Sequence, residues 1–407
     1  MRKILLTNAL MIGLTAMAAE TYMTAPAPEV VVPDSTGFNF TDVKIVGTTP
    51  VKNQNKSGTC WSFSGIGLVE DDILRKGLGE LDLSEMFAVR QCYIDKAKKY
   101  VRTHGTSGFG PGGATLDVLY VADNYGLVPE EAYPGLNYGE DKHSHGELNS
   151  VLNAYLDAVI KNPNRKLSTA WLPGFVNILD AYLGPLPESF VYNGKTYTPV
   201  EFAESLGVKG DDFISLTSYT HHPFYEEFAI EIPDNWLWAN SMNVPMEEMK
   251  ATVDNALENG YTVAWSADVS EGGFQWNKGF ALLPQPKDEA DLEGTELSRW
   301  VKLSDRDKQK ETYDIKGPVK ERKVTQQSRQ ESFDNYETTD DHGMVIVGVA
   351  NDQEGNRYYK VTNSWETNQV YDGFLYVSEP YFLEKTLSVL VNKNAVPADV
   401  AKKINLK

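Results

Sequence analysis

The stretch QNKSGTCWSFS, residues 54–64, contains one of only two cysteines in the chain. Apolar residues at helical spacing follow over residues 61–76, so Cys60 opens a predicted helix whose dipole would favour a thiolate. An ordinary thiol is mostly protonated at neutral pH, and a helix N-terminus, a nearby cation or an ion-pairing histidine each lowers its pKa. These features predict that Cys60 is a nucleophile.

A nucleophilic thiol needs a histidine partner, and His342 is the best placed of the six in the chain. It precedes an apolar predicted strand in DDHGMVIVGV, where a buried, purely structural histidine is the alternative. Asn363 ends the next predicted strand, in YKVTNSW, and antiparallel pairing would let its side-chain carbonyl orient the imidazole. Trp365 would then shield the hydrogen bond between the two side chains from water.

Gln54 completes the set of residues that could do chemistry. Attack of sulfur on a carbonyl creates an oxyanion, to which the backbone N–H of Cys60 and the side-chain amide of Gln54 could donate. Each such donor contributes roughly 3 kcal/mol. Each local context is common by itself, but the four residues in this order predict thiol-based acyl chemistry.

These motifs resemble those of the papain-like cysteine peptidases. In this chain, the Gln, Cys, His and Asn of the family's motifs would be supplied by QNKSGTCWSFS, DDHGMVIVGV and VTNSW. The interval from Cys60 to His342 is about twice the 130–150 residues given for papain, which indicates a large insertion. The segments GPGGATLDVLYVADNYGLVPEEAYP and MEEMKATVDNALENGYTVAWSADV are similar to those of the bleomycin hydrolase and aminopeptidase C branch. The resemblance covers roughly residues 40–400.

The resemblance implies an aminopeptidase that acts on peptides through a thioester, without a metal or other cofactor and often as a homohexamer. Gly112, Gly113 and Trp365 are expected to contribute to substrate binding, the two glycines by presenting their backbone. In the family, a terminal carboxylate anchors the free amine of the substrate, whereas VPADVAKKINLK is shorter than the family's arm. An endopeptidase, an amide acyl-transferase and a catalytically silent binding protein therefore remain alternatives.

The resemblance and the patterns together predict an α+β, papain-like fold of two subdomains, one helical and one an antiparallel sheet or barrel. Residues 285–335 are heavily charged and are predicted to form a solvated loop or surface hairpin. The predicted segments are a signal peptide (1–19), a linker (20–39), a helical subdomain with the nucleophile (40–139), a helical insertion (140–245), a β-rich subdomain with His342 and Asn363 (246–395) and a C-terminal arm (396–407).

Composition and the N-terminal pattern bear on location and partners. A formal charge of −19 disfavours nucleic acids and anionic membrane surfaces as partners, because both are polyanions. Arg2 and Lys3, an apolar run and Ala16-x-Ala18 predict a secretory signal peptide and export, with a buried N-terminal helix as the alternative. No later segment has the roughly 18 apolar residues of a membrane span.

The remaining candidates receive structural interpretations. Cys92 is predicted to be a small apolar residue within a helix, although a disulfide with Cys60 is the alternative. The histidines do not show a zinc-site spacing, so core or surface roles are favoured for them. Trp236 and Trp238 are expected in the core or at a subunit contact. The set assigned these roles comprises Cys92, His143, His145, His221, His222, Trp236 and Trp238.

Overall fold

A computed structural model describes residues 37–406 of the chain. Its strands, in chain order, are β1 Thr41–Ile45, β2 Phe190–Tyr192, β3 Lys195–Tyr197, β4 Phe213–Thr217, β5 Glu227–Ala229, β6 Asn240–Asn243, β7 Val263–Ala267, β8 Phe274–Gln275, β9 Phe280–Ala281, β10 His342–Asn351, β11 Arg357–Thr362, β12 Phe374–Ser378 and β13 Thr386–Asn392. Its α-helices are α1 Cys60–Arg75, α2 Glu85–Arg102, α3 Asp117–Tyr125, α4 Gly146–Ile160, α5 Trp171–Leu183, α6 Pro199–Leu206, α7 Met246–Glu258, α8 Gly294–Trp300, α9 Asp305–Thr312, α10 Gln326–Asp334, α11 Glu379–Lys385 and α12 Ala398–Lys403.

Within the described residues, eleven strands form one mixed sheet in the order β5-β6-β4-β13-β7-β10-β11-β12-β9-β8, and β1 pairs with β10 off this path. Most neighbours are antiparallel, whereas β4 with β6 and β9 with β12 are parallel. The two central strands β10 and β11 are antiparallel, with Val345 opposite Thr362. This register brings the start of β10 and the end of β11 to the same edge.

The sheet separates two apolar clusters. In β7, Ala264 belongs to the cluster formed by α1 and α2, whereas Val263 and Trp265 belong to the cluster formed with α7. Because successive strand residues point to opposite faces, α1 and α7 cover opposite faces of the sheet. The helix that carries Cys60 therefore packs on one face of the strand that begins with His342.

The structure confirms two helices predicted near the site. The predicted helix after Cys60 is α1, and Gly77, just beyond its end, has a left-handed φ of +75°. Ser84 caps α2 by accepting a hydrogen bond from the backbone N–H of Phe87, as its position predicts.

The insertion predicted to be helical is helical only in its first part. Helices α4, α5 and α6 occupy residues 146–206, whereas β4, β5 and β6 extend the main sheet. Helix α5 was not predicted, because Pro173 and Gly174 interrupt the apolar pattern in WLPGFVNILDAYL. Proline is tolerated in a first helical turn, where its missing N–H would have no partner within the helix.

The prediction of a loop or hairpin over residues 285–335 was wrong, since this segment contains α8, α9 and α10. Helix α9, DRDKQKET, buries none of its residues, so it has no apolar face to detect. Helix α10 is instead held by buried Arg329, whose guanidinium donates to the backbone carbonyls of Ser218 and Leu383. Such polar packing leaves no hydrophobic periodicity in the sequence.

The predicted signal peptide and most of the predicted linker lie outside the described residues. Between residues 37 and 406, no helix combines the length and the apolar character needed to cross a bilayer.

Candidate active site

The thiol of Cys60 lies at the first residue of α1, where the sequence predicted it. Burial raises its pKa to about 12, while the backbone N–H groups of Gly343 and Trp61 point at the sulfur and lower the pKa. Because Gly343 follows His342 directly, the first of these contacts brings the thiol next to the predicted partner. Both cysteines are free, which rules out a disulfide between Cys60 and Cys92 in this structure.

His342 and Asn363 are joined as the antiparallel register requires. Nε2 of His342 lies 2.7 Å from Oδ1 of Asn363, and both residues are buried. This contact leaves Nδ1 of the ring for the thiol. Burial lowers the pKa of His342 to about 4, although the bond to Asn363 raises it. Proton transfer from Cys60 to His342 would therefore create two charges that stabilise each other in a closed environment.

Gln54 is oriented by a residue to which the sequence analysis assigned no role. The Ser364 hydroxyl donates to Oε1 of Gln54 at 2.7 Å, and the backbone N–H of Gln54 donates to the Ser364 carbonyl at 2.9 Å. The backbone N–H of Ser364 also donates to Oδ1 of Asn363 at 2.7 Å. With Oε1 engaged, the side-chain amide nitrogen of Gln54 is the group left to donate to an oxyanion.

Trp365 lies over the imidazole, with ring centroids 4.4 Å apart and planes inclined by 32° to that of His342. The ring of Trp276 packs edge-on against the indole of Trp365, with ring centroids 5.6 Å apart. Trp365 is thus placed to exclude water from the bond between His342 and Asn363, and its predicted contribution to substrate binding stays a prediction.

The glycine segment is held against α1 and α2. Nε1 of Trp61 donates to the carbonyl of Pro111 at 2.8 Å, and the ammonium of buried Lys96 donates to the carbonyl of Gly112. A Cβ added to Gly112 would collide with the carboxyl group of Asp234. One added to Gly113 would lie 2.7 Å from the Asp117 carboxylate and 3.0 Å from the Trp61 ring. Both positions therefore require glycine.

Two carboxyl groups near the thiol were not predicted to act on it. The negative charges of Asp340 and Asp234 raise the pKa of Cys60, after the larger effect of burial. Burial also raises the pKa of Asp340 itself, to about 8. Asp234 lines a cavity of about 370 Å³ together with Gly112 and Trp236. Neither carboxyl group has a hydrogen-bond or salt-bridge partner within residues 37–406.

Asp340 and Asp341 directly precede His342 in the sequence, where they could raise the pKa of the histidine or form a solvated acidic turn. Burial and the bond to Asn363, and neither of these carboxyl groups, shift the pKa of His342, whereas Asp341 is exposed, as a solvated turn requires. The Asp341 carboxylate accepts hydrogen bonds from the backbone N–H groups of Val269 and Ser270, at 3.3 and 3.1 Å. Burial is the largest cause of the lowered pKa of His342. The charge of Asp340 instead raises the pKa of the Cys60 thiol.

Most of the candidates that were given structural roles lie in the core. Cys92 is fully buried within α2, and His143 and His145 are buried as well, as predicted. Trp236 is also a core residue, and its Nε1 donates to Asp117 at 2.6 Å. Trp238, in contrast, is 61% exposed and does not belong to the core.

The C-terminal arm, as far as the structure describes it, lies on the opposite face of the sheet from the helix that carries the thiol. Helix α12 and Leu406 pack into the cluster formed with α7, on the sheet face opposite α1. Lys403 of the same helix pairs with Glu248 of α7. Up to residue 406, the carboxyl groups that the structure offers near Cys60 are therefore side-chain groups.

Comparison with family models matches both parts of the site. A model described as the papain family of cysteine proteases matches residues 35–169, which include Gln54 and Cys60. A model described as the peptidase C1-like family matches residues 294–407, which include His342 and Asn363.

Full-length comparisons agree with these matches. Aminopeptidase C of Lactobacillus delbrueckii subsp. lactis is 22% identical over 405 residues, covering 88% of this chain and 82% of that protein. Aminopeptidase C of Lactococcus lactis subsp. cremoris is 24% identical, with coverages of 85% and 81%. Bleomycin hydrolase of Gallus gallus is 22% identical, with coverages of 86% and 82%.

Among solved structures, PepW from Lactobacillus rhamnosis HN001 (DR20) superposes with a TM-score of 0.67 at 20% identity. The superposition covers 89% of this chain and 84% of that chain. The α+β, papain-like fold predicted from the sequence is thereby confirmed.

Proposed function

We propose that this chain, which belongs to the papain-like cysteine peptidases of the aminopeptidase C and bleomycin hydrolase family, removes residues from the free N-termini of peptides. The observation that carries the proposal is the pair of unpartnered carboxyl groups, Asp234 and Asp340, near the thiol of Cys60. Among the described residues, neither carboxyl group has a cation at salt-bridge distance, although the charge of Lys96 lowers the pKa of Asp234, and a free peptide N-terminus supplies an ammonium group that could bind there.

The proposed chemistry uses the four residues in distinct roles. The Cys60 sulfur attacks the scissile carbonyl as His342 holds the thiol proton, and a C–S bond forms. The Gln54 amide and the Cys60 backbone N–H stabilise the oxyanion. His342 then gives its proton to the departing amine as the C–N bond breaks. Water, deprotonated by the same imidazole, hydrolyses the thioester and releases the N-terminal residue as an acid.

The electrostatics of the cleft support a substrate that carries a positive charge. In the substrate-free protein, the negative charges of Asp234 and Asp340 raise the pKa of Cys60 and so oppose thiolate formation. The N-terminal ammonium group of a bound substrate would offset the negative charge of these carboxylates and so favour the thiolate. A substrate with a blocked N-terminus lacks this effect and would also leave the carboxylates unpaired.

The proposal is tested with pairs of fluorogenic substrates that differ only in an N-acetyl group. We expect the protein to hydrolyse the unblocked aminoacyl amides and to lose at least about tenfold in kcat/KM on the blocked ones, because a charged pair is removed. Cys60→Ala should abolish both activities. Preference for blocked peptides would instead indicate an endopeptidase, and labelling of Cys60 by an epoxide without hydrolysis of either substrate would refute a peptidase role.

We also propose that the mature protein is exported and forms a homo-oligomer, with a hexamer as the expected assembly. The charged, apolar and small-residue order of residues 1–19 supports export. The exposed Trp238 side chain supports a subunit contact. N-terminal sequencing of the protein from its native cells and light scattering of the purified protein test the two points; an intact N-terminus or a monomeric mass would contradict them.

A further inference from the structure

Two adjacent histidines and a glutamate converge on the molecular surface. Nε2 of His221 lies 3.1 Å from Oε2 of Glu231, and Nε2 of His222 lies 2.9 Å from Oε1 of the same carboxylate. One potential ligand atom of each residue lies within 4.8 Å of the other two. The sequence pattern does not reveal this arrangement, because the turn between the histidines and β5 brings Glu231 back to them.

Both imidazoles are held by neighbouring side chains. The Gln330 amide lies 3.1 and 3.3 Å from Nδ1 of His221, and its oxygen can accept the Nδ1 proton. Nε2 of His221 then faces the Glu231 carboxylate, where a shared ion would lie. The ring of His222 stacks on Phe228 at 4.2 Å with an interplanar angle of 22°. A hydrogen-bonded second nitrogen is the usual companion of a histidine that binds a metal.

We propose that His221, His222 and Glu231 bind a divalent transition-metal ion such as Zn²⁺, with water completing its coordination. Imidazole nitrogen and carboxylate oxygen bind Zn²⁺ at about 2.0–2.2 Å, which in a tetrahedron sets ligand atoms about 3.3 Å apart. The two histidine–glutamate contacts, 3.1 and 2.9 Å, are close to that spacing, and all three ligand atoms lie within 4.8 Å of one another. Two nitrogen ligands favour Zn²⁺ over Mg²⁺ or Ca²⁺.

The exposure of the three side chains suits an exchangeable ion. His221, His222 and Glu231 retain 29%, 37% and 46% of their side-chain surface, which leaves a route of entry and room for water. Two neutral imidazoles and one carboxylate leave a bound divalent ion with a net charge of about +1. The overall charge of −19 tolerates that charge readily.

A bound ion would act on the cleft through the chain. Glu231 lies three residues before Asp234, and the histidines lie on the segment that joins β4 to β5. The ion would therefore fasten the segment that presents Asp234 to the glycine wall. This consequence is separate from the peptidase chemistry, which uses no metal.

The test uses the full chain with Cys60→Ala, because a free active-site thiol would itself bind zinc. Titration calorimetry with Zn²⁺ should show one site, with no comparable heat from Mg²⁺. His222→Gln and Glu231→Gln should each weaken binding at least about tenfold, whereas His104→Gln, a matched exposed histidine, should leave it unchanged. Absence of a one-to-one site, or a site that survives both substitutions, would overturn the proposal.

Hydrogen exchange provides a second measurement that does not depend on the variants folding equally well. Zn²⁺ should slow exchange in residues 230–236 of the Cys60→Ala protein and raise its thermal midpoint. A protein whose exchange in this segment is unchanged at saturating Zn²⁺ would show that the three side chains form only the two hydrogen bonds seen without metal, and the proposal would fail.

Discussion

The hydroxyl of Ser364 donates a 2.7 Å hydrogen bond to Oε1 of Gln54 and thereby connects the segment before α1 to the segment after β11. These two segments carry the proposed oxyanion donor and the residue that orients the histidine. An amide can present either its oxygen or its nitrogen to the cleft, and this bond selects the nitrogen. Ser364 is thus a positioning residue for Gln54.

Ser364→Ala should lower kcat by about tenfold with little change in KM, because the Gln54 amide loses its preferred orientation. Gln54→Ala should cost more, about 10²–10³ in kcat. The double variant should be no slower than Gln54→Ala alone, since both substitutions remove the same interaction. Steady-state kinetics on an unblocked aminoacyl amide measures these values.

The conservative variant provides the control for Ser364. Ser364→Thr keeps a hydroxyl at the same position and should recover most of the lost kcat. Additive losses in the double variant would contradict a role that acts through Gln54.

Asp340→Asn should affect the thiol and the substrate in opposite directions. Asp340 is charged only above its raised pKa of about 8, where its loss lowers the thiol pKa, so alkylation by iodoacetamide at about pH 9 should become severalfold faster. The KM for unblocked substrates should nevertheless rise, because one of the carboxylates proposed to bind the ammonium group is lost. Rates of alkylation against pH and steady-state kinetics separate the two effects.

Glu337→Gln is the matched control, since it removes an exposed charge from the same segment without contacting the cleft. It should leave both alkylation and KM unchanged. If Asp340→Asn slows alkylation, or leaves KM for unblocked substrates as it was, the assignment of Asp340 is wrong.

The parts of the site that could be predicted are those with a local signature. Cys60 precedes a helix, His342 begins an apolar strand and Asn363 ends the next one, so short stretches suffice to suggest each role. Their convergence needs only the antiparallel pairing of β10 with β11. Gln54 is recognisable by its place before the cysteine.

The unpredicted parts depend on contacts between distant segments. Asp234 reaches Gly112 across more than a hundred residues, and nothing in its own neighbourhood, IPDNW, marks it. Asp340 stands two residues before His342 in the sequence, but the effect of its charge on the thiol of Cys60 depends on the folding of the whole cleft. Helix α9 has no buried residue, so periodicity could not reveal it.

Glu366→Gly should stabilise the fold. Glu366 follows Trp365 and has a left-handed φ of +75°. A side chain in this region costs about 1–2 kcal/mol, which the greater freedom of glycine in the unfolded chain partly offsets. We expect a gain of roughly 0.5–1 kcal/mol in the free energy of unfolding, measured with urea.

Glu366→Ala separates backbone strain from the loss of the side chain, whose carboxylate accepts a bond from Asn368 at 2.9 Å. Alanine keeps the strain and should not be stabilising. Equal gains from alanine and glycine would show that the side chain, and not the backbone, is responsible.

Half-buried Glu321 should make the protein less stable as the pH rises. Its Oε1 accepts hydrogen bonds from the Leu283 backbone N–H at 2.5 Å and from the Ser378 hydroxyl at 2.6 Å, and no cation pairs with it in the described part of the chain. Burial raises its pKa from 4.5 to about 7. The folded state thus retains a proton that the unfolded chain releases near pH 4.5, so this contribution to stability is present at low pH and is lost as the pH rises through about 7.

Glu321→Gln should flatten that dependence, because an amide keeps the acceptor oxygen and resembles the protonated carboxyl group. Between pH 4.5 and pH 8 the wild type should lose up to roughly 3 kcal/mol more unfolding free energy than the variant. Asp117, with a pKa raised by burial to about 7, should leave some slope in both proteins. Urea unfolding at a series of pH values, with Glu337→Gln as the exposed control, measures the difference. If Glu321→Gln and the wild type lost stability in parallel, Glu321 would already be ionised in the folded state at neutral pH, and its burial would have to be relieved by water that reaches the carboxylate.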